Sequence, residues 1–559
     1  MSAVLAAAGV LVAAGAAAAA ILLPAGRPRS AAMLLALVLF PALILGDQWH
    51  SAQIVDLRDN STRLTMLALA GLAAVAILTA AFHRWPTLLP LAIVAVLPFR
   101  VPLHAGGDTA NLLVPLYLVI AGGVLSSVLS GWREGGRVPL RKPALGRPFG
   151  SLSGSAHKFP PGDPPALAPA PSPRSGRSQF LPCVLAGVVV LYALQTLYSP
   201  DFSKSLQNVC FFFVPFSLMY ALLRDVEWDR KLLVRVLWVV AVEAVAFVLV
   251  GSVEYLSRDL FWNDQVIRSN EFHTYFRVNS IFWDPNIYGR YLALVIVVAM
   301  SALLWAKERK TLALLSALVA VLWLGLVPTF SQSSFAALLA GLAVLAALRW
   351  SLRWTLGAVG VVALLALLVV VFAGGTSKIS ISRLNVDTGG RANLVSGGTD
   401  LFAQRPIWGY GAGSFPRAYR EHAATKKVPV SVSHTEPVTV AAEQGVIGLA
   451  AYAALLLAAL WTMCSGLSAR RKGRGSPRRK LWSTSRQEPN RPPQCGFPEG
   501  GPPALPPLPR FVARVAVLAA FVALLVHTMA YAGFYEDPIT WVLLAAGASL
   551  ASVPVRAET

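Results

Sequence analysis

One histidine and a small set of arginines carry the residue types that could do chemistry in this chain. His434 stands in Ser-His-Thr-Glu-Pro, directly ahead of an apolar run whose first turn holds Pro437. An imidazole at such a water boundary can take a proton from a hydroxyl near neutral pH. Arg391 opens the segment RANLVSGGTDLFAQ, and Arg277 precedes Asp284, Pro285 and Asn286 at the mouth of another apolar run. The planar fork of a guanidinium suits a phosphate or diphosphate. Arg417 and Arg420, in the basic stretch that runs to Lys427, add cations for an anionic substrate.

Each residue also has a plainer reading. A lone histidine at an interface is ordinarily a hydrogen-bonding residue, and Asp284 and Asn286 read equally well as helix caps. Glu443 lies nine residues beyond His434, about 13 Å along a helix, so direct contact between them is not expected. A hydrogen bond that locks helices together is the expectation for Glu443. In PIWGYGAGSF, Gly409, Gly411 and Gly413 predict a tight turn; with no strand before it and no helix opening on it, this is not a dinucleotide fingerprint. RANLVSGGTDLFAQ predicts a short interfacial helix interrupted at Gly397 and Gly398. No acidic or cysteine cluster has metal-ligand spacing, so neither a metal nor a cofactor is expected. Cys183, Cys210, Cys464 and Cys495 suggest no disulfide framework.

The elements that must position these residues are membrane helices. Of 559 residues 56% are hydrophobic and only 13% charged. Apolar runs long enough to cross a hydrocarbon core of ~30 Å recur along the whole chain. They lie near residues 2–23, 30–46, 63–82, 86–103, 110–130, 180–198, 205–222, 232–255, 287–305, 311–327, 333–349, 353–373, 437–463, 511–531 and 538–553. The expected fold is an all-α polytopic membrane protein with about 12–15 transmembrane helices and one large external loop. The first run lacks a basic leader and is read as a retained helix.

Six units are expected beyond that loop. Residues 1–130 form N-terminal transmembrane helices and 180–373 a transmembrane core; 437–463 is a single span and 511–553 the C-terminal spans. Residues 131–179 and 464–510, rich in Pro, Gly, Ser and Arg, read as basic cytoplasmic linkers. The formal charge of +21 lies largely in loops, so the positive-inside rule accounts for it and nucleic acid is not implied. One parity places the basic loops in the cytoplasm and residues 374–436 outside. That loop carries eight Lys or Arg against four Asp or Glu, which asks for an anionic partner.

Four segments in order, FRVNSIFWDPNIYGRYLAL, TFSQSSFAALLAG, RANLVSGGTDLFAQRPIWGYGAGSF and SHTEPVTVAAEQGVIGLAAY, resemble the O-antigen ligase and polymerase family of bacterial membrane proteins. The resemblance spans residues 180–550. It implies glycan transfer at the outer face of the cytoplasmic membrane, from an undecaprenyl diphosphate-linked donor to a lipid or saccharide acceptor. His434 matches the family's essential histidine, and Arg277 and Arg391 match arginines held to grip the donor diphosphate. Gln332 stands where the family often has Arg, and Thr435 where it usually has Asn. Polymerisation of lipid-linked repeats, transport or flipping, and a structural role in an envelope complex are the competing classes. For transport, Glu243 within the eighth run is the main intramembrane charge, and a packed hydrogen bond accounts for it more simply.

Overall fold

The computed structural model describes residues 2–105, 108–134, 179–272, 275–361, 391–422, 432–465, 467 and 509–552. Both basic linkers fall almost wholly outside this set, as do residues 362–390 and 423–431 of the run near 353–373 and the large loop.

The chain is a helical membrane protein. Among the described residues eleven helices are long and apolar enough to cross a bilayer, and Phe180–Thr196 and Pro538–Ser552 are shorter apolar helices. The N-terminal helices are α1 (Ala3–Leu22), α2 (Arg27–Asp47), the short α3 (Ala52–Asp59), α4 (Ser61–Arg84), α5 (Leu88–Val96) and α6 (Val114–Glu134). There follow α7 (Phe180–Thr196), α8 (Phe202–Asn208), α9 (Val214–Leu223), α10 (Arg230–Ser257), α11 (Asp264–Phe272), α12 (Pro285–Trp305), α13 (Arg309–Leu326) and α14 (Gln332–Arg349). The last five are α15 (Arg391–Gln404), α16 (Phe415–His422), α17 (Glu436–Cys464), α18 (Pro509–Thr528) and α19 (Pro538–Ser552).

Small residues set the packing, as expected where lipid removes any hydrophobic advantage of helix on helix. A Cβ on Gly122 of α6 would run into Leu78 of α4, and one on Gly341 of α14 would meet Val297 of α12 and the Ala519 carbonyl of α18. Ala13, Ala14, Ala17 and Ala20 bury the inner stripe of α1. Between α8 and α9 the helix widens into a π turn over Val209–Phe213. Pro215, two residues into the next segment, has no N–H to give the Phe211 carbonyl four residues back. The Tyr117 hydroxyl supplies that hydrogen bond instead, at 2.9 Å.

The run at 86–103 differs from expectation. Its helix, α5, has nine residues; an antiparallel hairpin then pairs β1 (Val101–Ala105) with β2 (Asp108–Leu112), Val101 opposite Leu112. Pro98 and Pro102 cannot donate to a continuing helix, so the chain leaves it there.

Arginines fasten one end of the bundle. Arg29 bonds the Asp225 carboxylate and the Ala221 carbonyl, Arg224 the Ile21 carbonyl, Arg510 the Trp228 carbonyl and Arg514 the Ser465 carbonyl. The carbonyls of Ile21, Ala221 and Ser465 lie at helix C-termini, which leave such groups unpaired. The opposite end gathers Arg277, Asn286, Ser331, Arg391 and His434.

Candidate functional site

The glycine turn and α17 are built around one another. Gly445 interrupts α17 with φ 64° and ψ −164°, freeing backbone groups on either side of the break. Residues 406–411 take them up: Tyr410 N–H donates to the Ala442 carbonyl at 3.1 Å, Gly411 N–H to the Glu443 carbonyl at 2.7 Å, and Val446 N–H to the Pro406 carbonyl at 2.7 Å. Irregular backbone inside a membrane bundle survives only with such pairing. Gly411 has φ 102° and approaches Ser199 so closely that no side chain would fit. The Glu443 carboxylate accepts the N–H groups of Gly413 at 2.9 Å and Phe415 at 3.0 Å, so it anchors the start of α16. Glu443, Gly409, Gly411 and Gly413 thus form the scaffold.

On that scaffold α15 runs unbroken from Arg391 to Gln404. The expected interruption at Gly397 and Gly398 is absent because both glycines serve close contact, Gly397 against Tyr419 and Gly398 against Val438 and Phe415.

His434 precedes α17 with φ 63°, a left-handed conformation that is strained for a side chain with a Cβ. Ser433 pins this turn: its hydroxyl donates to the Thr435 carbonyl at 2.8 Å and lies 2.8 Å from the Thr439 hydroxyl. The imidazole faces the Tyr531 ring, centroids 6.4 Å apart, and His527 approaches Tyr531 from α18 at 5.7 Å. Glu436 fixes that neighbour, since its carboxylate accepts N–H groups from Gly533 at 2.7 Å and Phe534 at 3.0 Å.

Arg277 reaches the same end from the loop after α11. Its Nε donates to the Thr329 carbonyl at 2.9 Å and its Nη2 to Asn286 Oδ1 at 3.3 Å. Asn286 also accepts the Ser331 hydroxyl at 2.9 Å; Ser331 and Ser333 lie 3.2 Å apart, and Ser333 meets His527 Nε2 at 3.2 Å. Polar groups therefore connect Arg277 to His527. Asp284 caps α12 through the Asn286 N–H at 2.6 Å.

Electrostatics ties the two sides together. Burial lowers the His434 pKa first, the nearby positive charge of Arg391 lowers it further, and Asp284 opposes both. Burial likewise lowers that of Arg277, where Asp284 and Tyr275 act against burial and Arg391 reinforces it. Arg277, Arg391, Asp284 and His434 thus share one electrostatic neighbourhood. A neutral imidazole near the Arg391 charge can accept a proton while the cation holds an anion.

Arg417 and Arg420 are carried by α16. Arg417 is paired with Glu421 at 2.9 Å and bonds the Pro200 carbonyl, and Arg420 is exposed. Gln332, also exposed, begins α14. Among the described residues no three His, Cys, Asp or Glu side chains cluster as metal ligands would.

Residues 317–453 match the family model described as O-antigen ligase. The matched stretch runs from within α13 to the second half of α17 and includes Arg391, the glycine turn, His434 and Glu443. It supports a ligase- or polymerase-type membrane function in O-antigen biosynthesis, and with the apolar helices it points to a multi-pass protein of the bacterial inner membrane. Arg277, Asn286 and His527 lie outside the O-antigen ligase match. No curated protein matches the chain.

Sequence reasoning missed His527, Tyr531 and Glu436. A histidine near the end of an apolar helix was the available signal, because an ionisable group at that depth ordinarily meets a polar partner.

Proposed function

We propose that this chain is a glycosyltransferase of the O-antigen ligase type. It moves a glycan from undecaprenyl diphosphate to an acceptor hydroxyl, such as that of a lipid A core, at the external face of the inner membrane. The acceptor oxygen attacks the anomeric carbon. The bond from that carbon to the diphosphate oxygen breaks, and the diphosphate departs with the electron pair. Arg277 and Arg391 stabilise the charge that grows on the leaving group, more effectively at a poorly hydrated mouth than in water. His434, neutral at physiological pH, takes the hydroxyl proton, a role worth about 10²- to 10⁴-fold in rate. Arg277 enters the reaction already oriented by Thr329 and Asn286, so little ordering remains to be done on binding.

The observation that carries this reading is the match of residues 317–453 to the O-antigen ligase model, a stretch that includes Arg391 and His434. Its test is surface glycan in a deletion strain complemented with His434→Ala or Arg391→Ala. Both variants are expected to insert normally and to lose transfer, and normal glycan with His434→Ala overturns the assignment of the base. Accumulation of single repeats instead of long lipid-linked polymer would identify the acceptor as another lipid-linked repeat, hence polymerisation.

A further inference from the structure

His527 lies near the end of α18 with none of its surface exposed, and the transfer step above makes no use of it. It nevertheless ends a row of hydrogen bonds whose other end is Arg277. The direction of that row follows from a group that can only donate. A guanidinium has no acceptor to offer, so the Asn286 amide must turn its oxygen, not its nitrogen, to Arg277 Nη2 at 3.3 Å. Ser331 bonds the same Oδ1 at 2.9 Å and therefore points its one hydroxyl proton there. Ser333, 3.2 Å from the Ser331 oxygen, then donates to it and must itself accept from His527 Nε2, at 3.2 Å. The imidazole thus carries its proton on Nε2. Its second nitrogen agrees: among the described residues Nδ1 has no hydrogen-bond partner and is buried, a state that a lone pair tolerates better than an N–H.

We propose that His527 is a positioning residue for Arg277, setting through Ser333 and Ser331 the orientation of the Asn286 amide and so of the guanidinium bonded to it. Donation from Nε2 directs Ser333, Ser333 directs Ser331, and Ser331 keeps the Asn286 oxygen turned toward Arg277. Once the row is cut, the Asn286 NH2 can swing to face Arg277, donor against donor, and the bond from Nε to the Thr329 carbonyl is left to hold the side chain. Asn286, Ser331 and Ser333 are all buried, so bulk water does not take the place of a lost member, and a buried row of this kind depends on every bond in it. The part His527 plays in glycan transfer rests on the reading given above, in which Arg277 stabilises the leaving diphosphate.

The test uses the full-length protein in detergent and reads Arg277 directly, as its rate of modification by phenylglyoxal relative to Arg391, measured by peptide mass spectrometry. His527→Phe keeps a ring against Tyr531, now 5.7 Å from the imidazole, and removes the donor. It should raise the relative reactivity of Arg277 about fivefold, the effect of freeing a charged group from one hydrogen bond. Ser331→Ala should do the same, and the double variant should go no further than either single one, because both cut one row. His527→Gln, whose amide N–H can replace Nε2–H, should restore the wild-type rate. In a transfer assay His527→Phe should lower kcat about tenfold with the donor KM little changed, as expected when an interaction that grows in the transition state is weakened. The acid limb of the pH profile should stay where it is, since the titrating base is His434. Unchanged Arg277 reactivity in His527→Phe, additive rises in the double variant, no recovery in His527→Gln, or a displaced acid limb would overturn the proposal. Higher Arg277 reactivity with undiminished transfer would confirm the positioning and remove Arg277 from the reaction instead.

Discussion

His434 carries the most direct prediction at the scale of single residues. Its pKa is lowered by burial and by Arg391, so the neutral base persists at pH values below the ordinary histidine range, and activity should fall only as the pH drops through that lowered value. Arg391→Gln removes one of the two depressing influences. The acid limb of the residual transfer rate should then move to higher pH in an in vitro assay; an unmoved limb would separate Arg391 from the imidazole. Arg417 provides a contrast. Its partner is Glu421 on the same exposed helix face, an arrangement worth about 0–1 kcal/mol, so Arg417→Ala should keep transfer within about twofold of wild type. Both arginines sit in one basic loop, and only their positions in space separate them.

Between elements, the decisive feature is the broken α17 with the 406–413 turn laid into the break. Glu443→Ala would leave the buried N–H groups of Gly413 and Phe415 unpaired, at about 1–3 kcal/mol each. Gly411→Ala would place a methyl group against the Ser199 backbone at a φ that side chains avoid. Both variants should lower the thermal unfolding midpoint of the detergent-purified protein, with transfer lost in proportion to folded protein. Midpoints equal to wild type would mean that the turn does not hold the break. Glu436 has a narrower task, tying the start of α17 to residues 533 and 534, and so it fixes where Tyr531 meets His434.

For the molecule as a whole, the two ends of the bundle differ in kind. One is fastened by arginines on backbone carbonyls, and the other collects Arg277, Asn286, Arg391 and His434. If the second end faces outward, as the basic loops suggest, a cysteine at Gln332→Cys should react with a membrane-impermeant thiol reagent in intact cells of a cysteine-free background. One at Lys307→Cys should react only after lysis. The reverse pattern would put the donor site on the cytoplasmic side and remove the proposed substrate orientation.

Sequence alone determined the class of molecule, because apolar runs at bilayer length admit few structures besides helices. It also determined the capping of α12 by Asp284 and the proline start of α17, which are local choices of residue and neighbour. It singled out His434, Arg277 and Arg391 through residue type and family resemblance. Long-range pairing was out of its reach. The Gly445 break reads as helix until a second segment offers partners for the freed backbone groups, and Gly397 and Gly398 read as breakers until Tyr419 and Val438 press on them. Tyr531 is far from His434 along the chain, and only tertiary packing sets the two rings together and brings His527 to Ser333 of α14. Spacing along a chain reports neighbours on one helix, whereas the site is made where several helix ends meet.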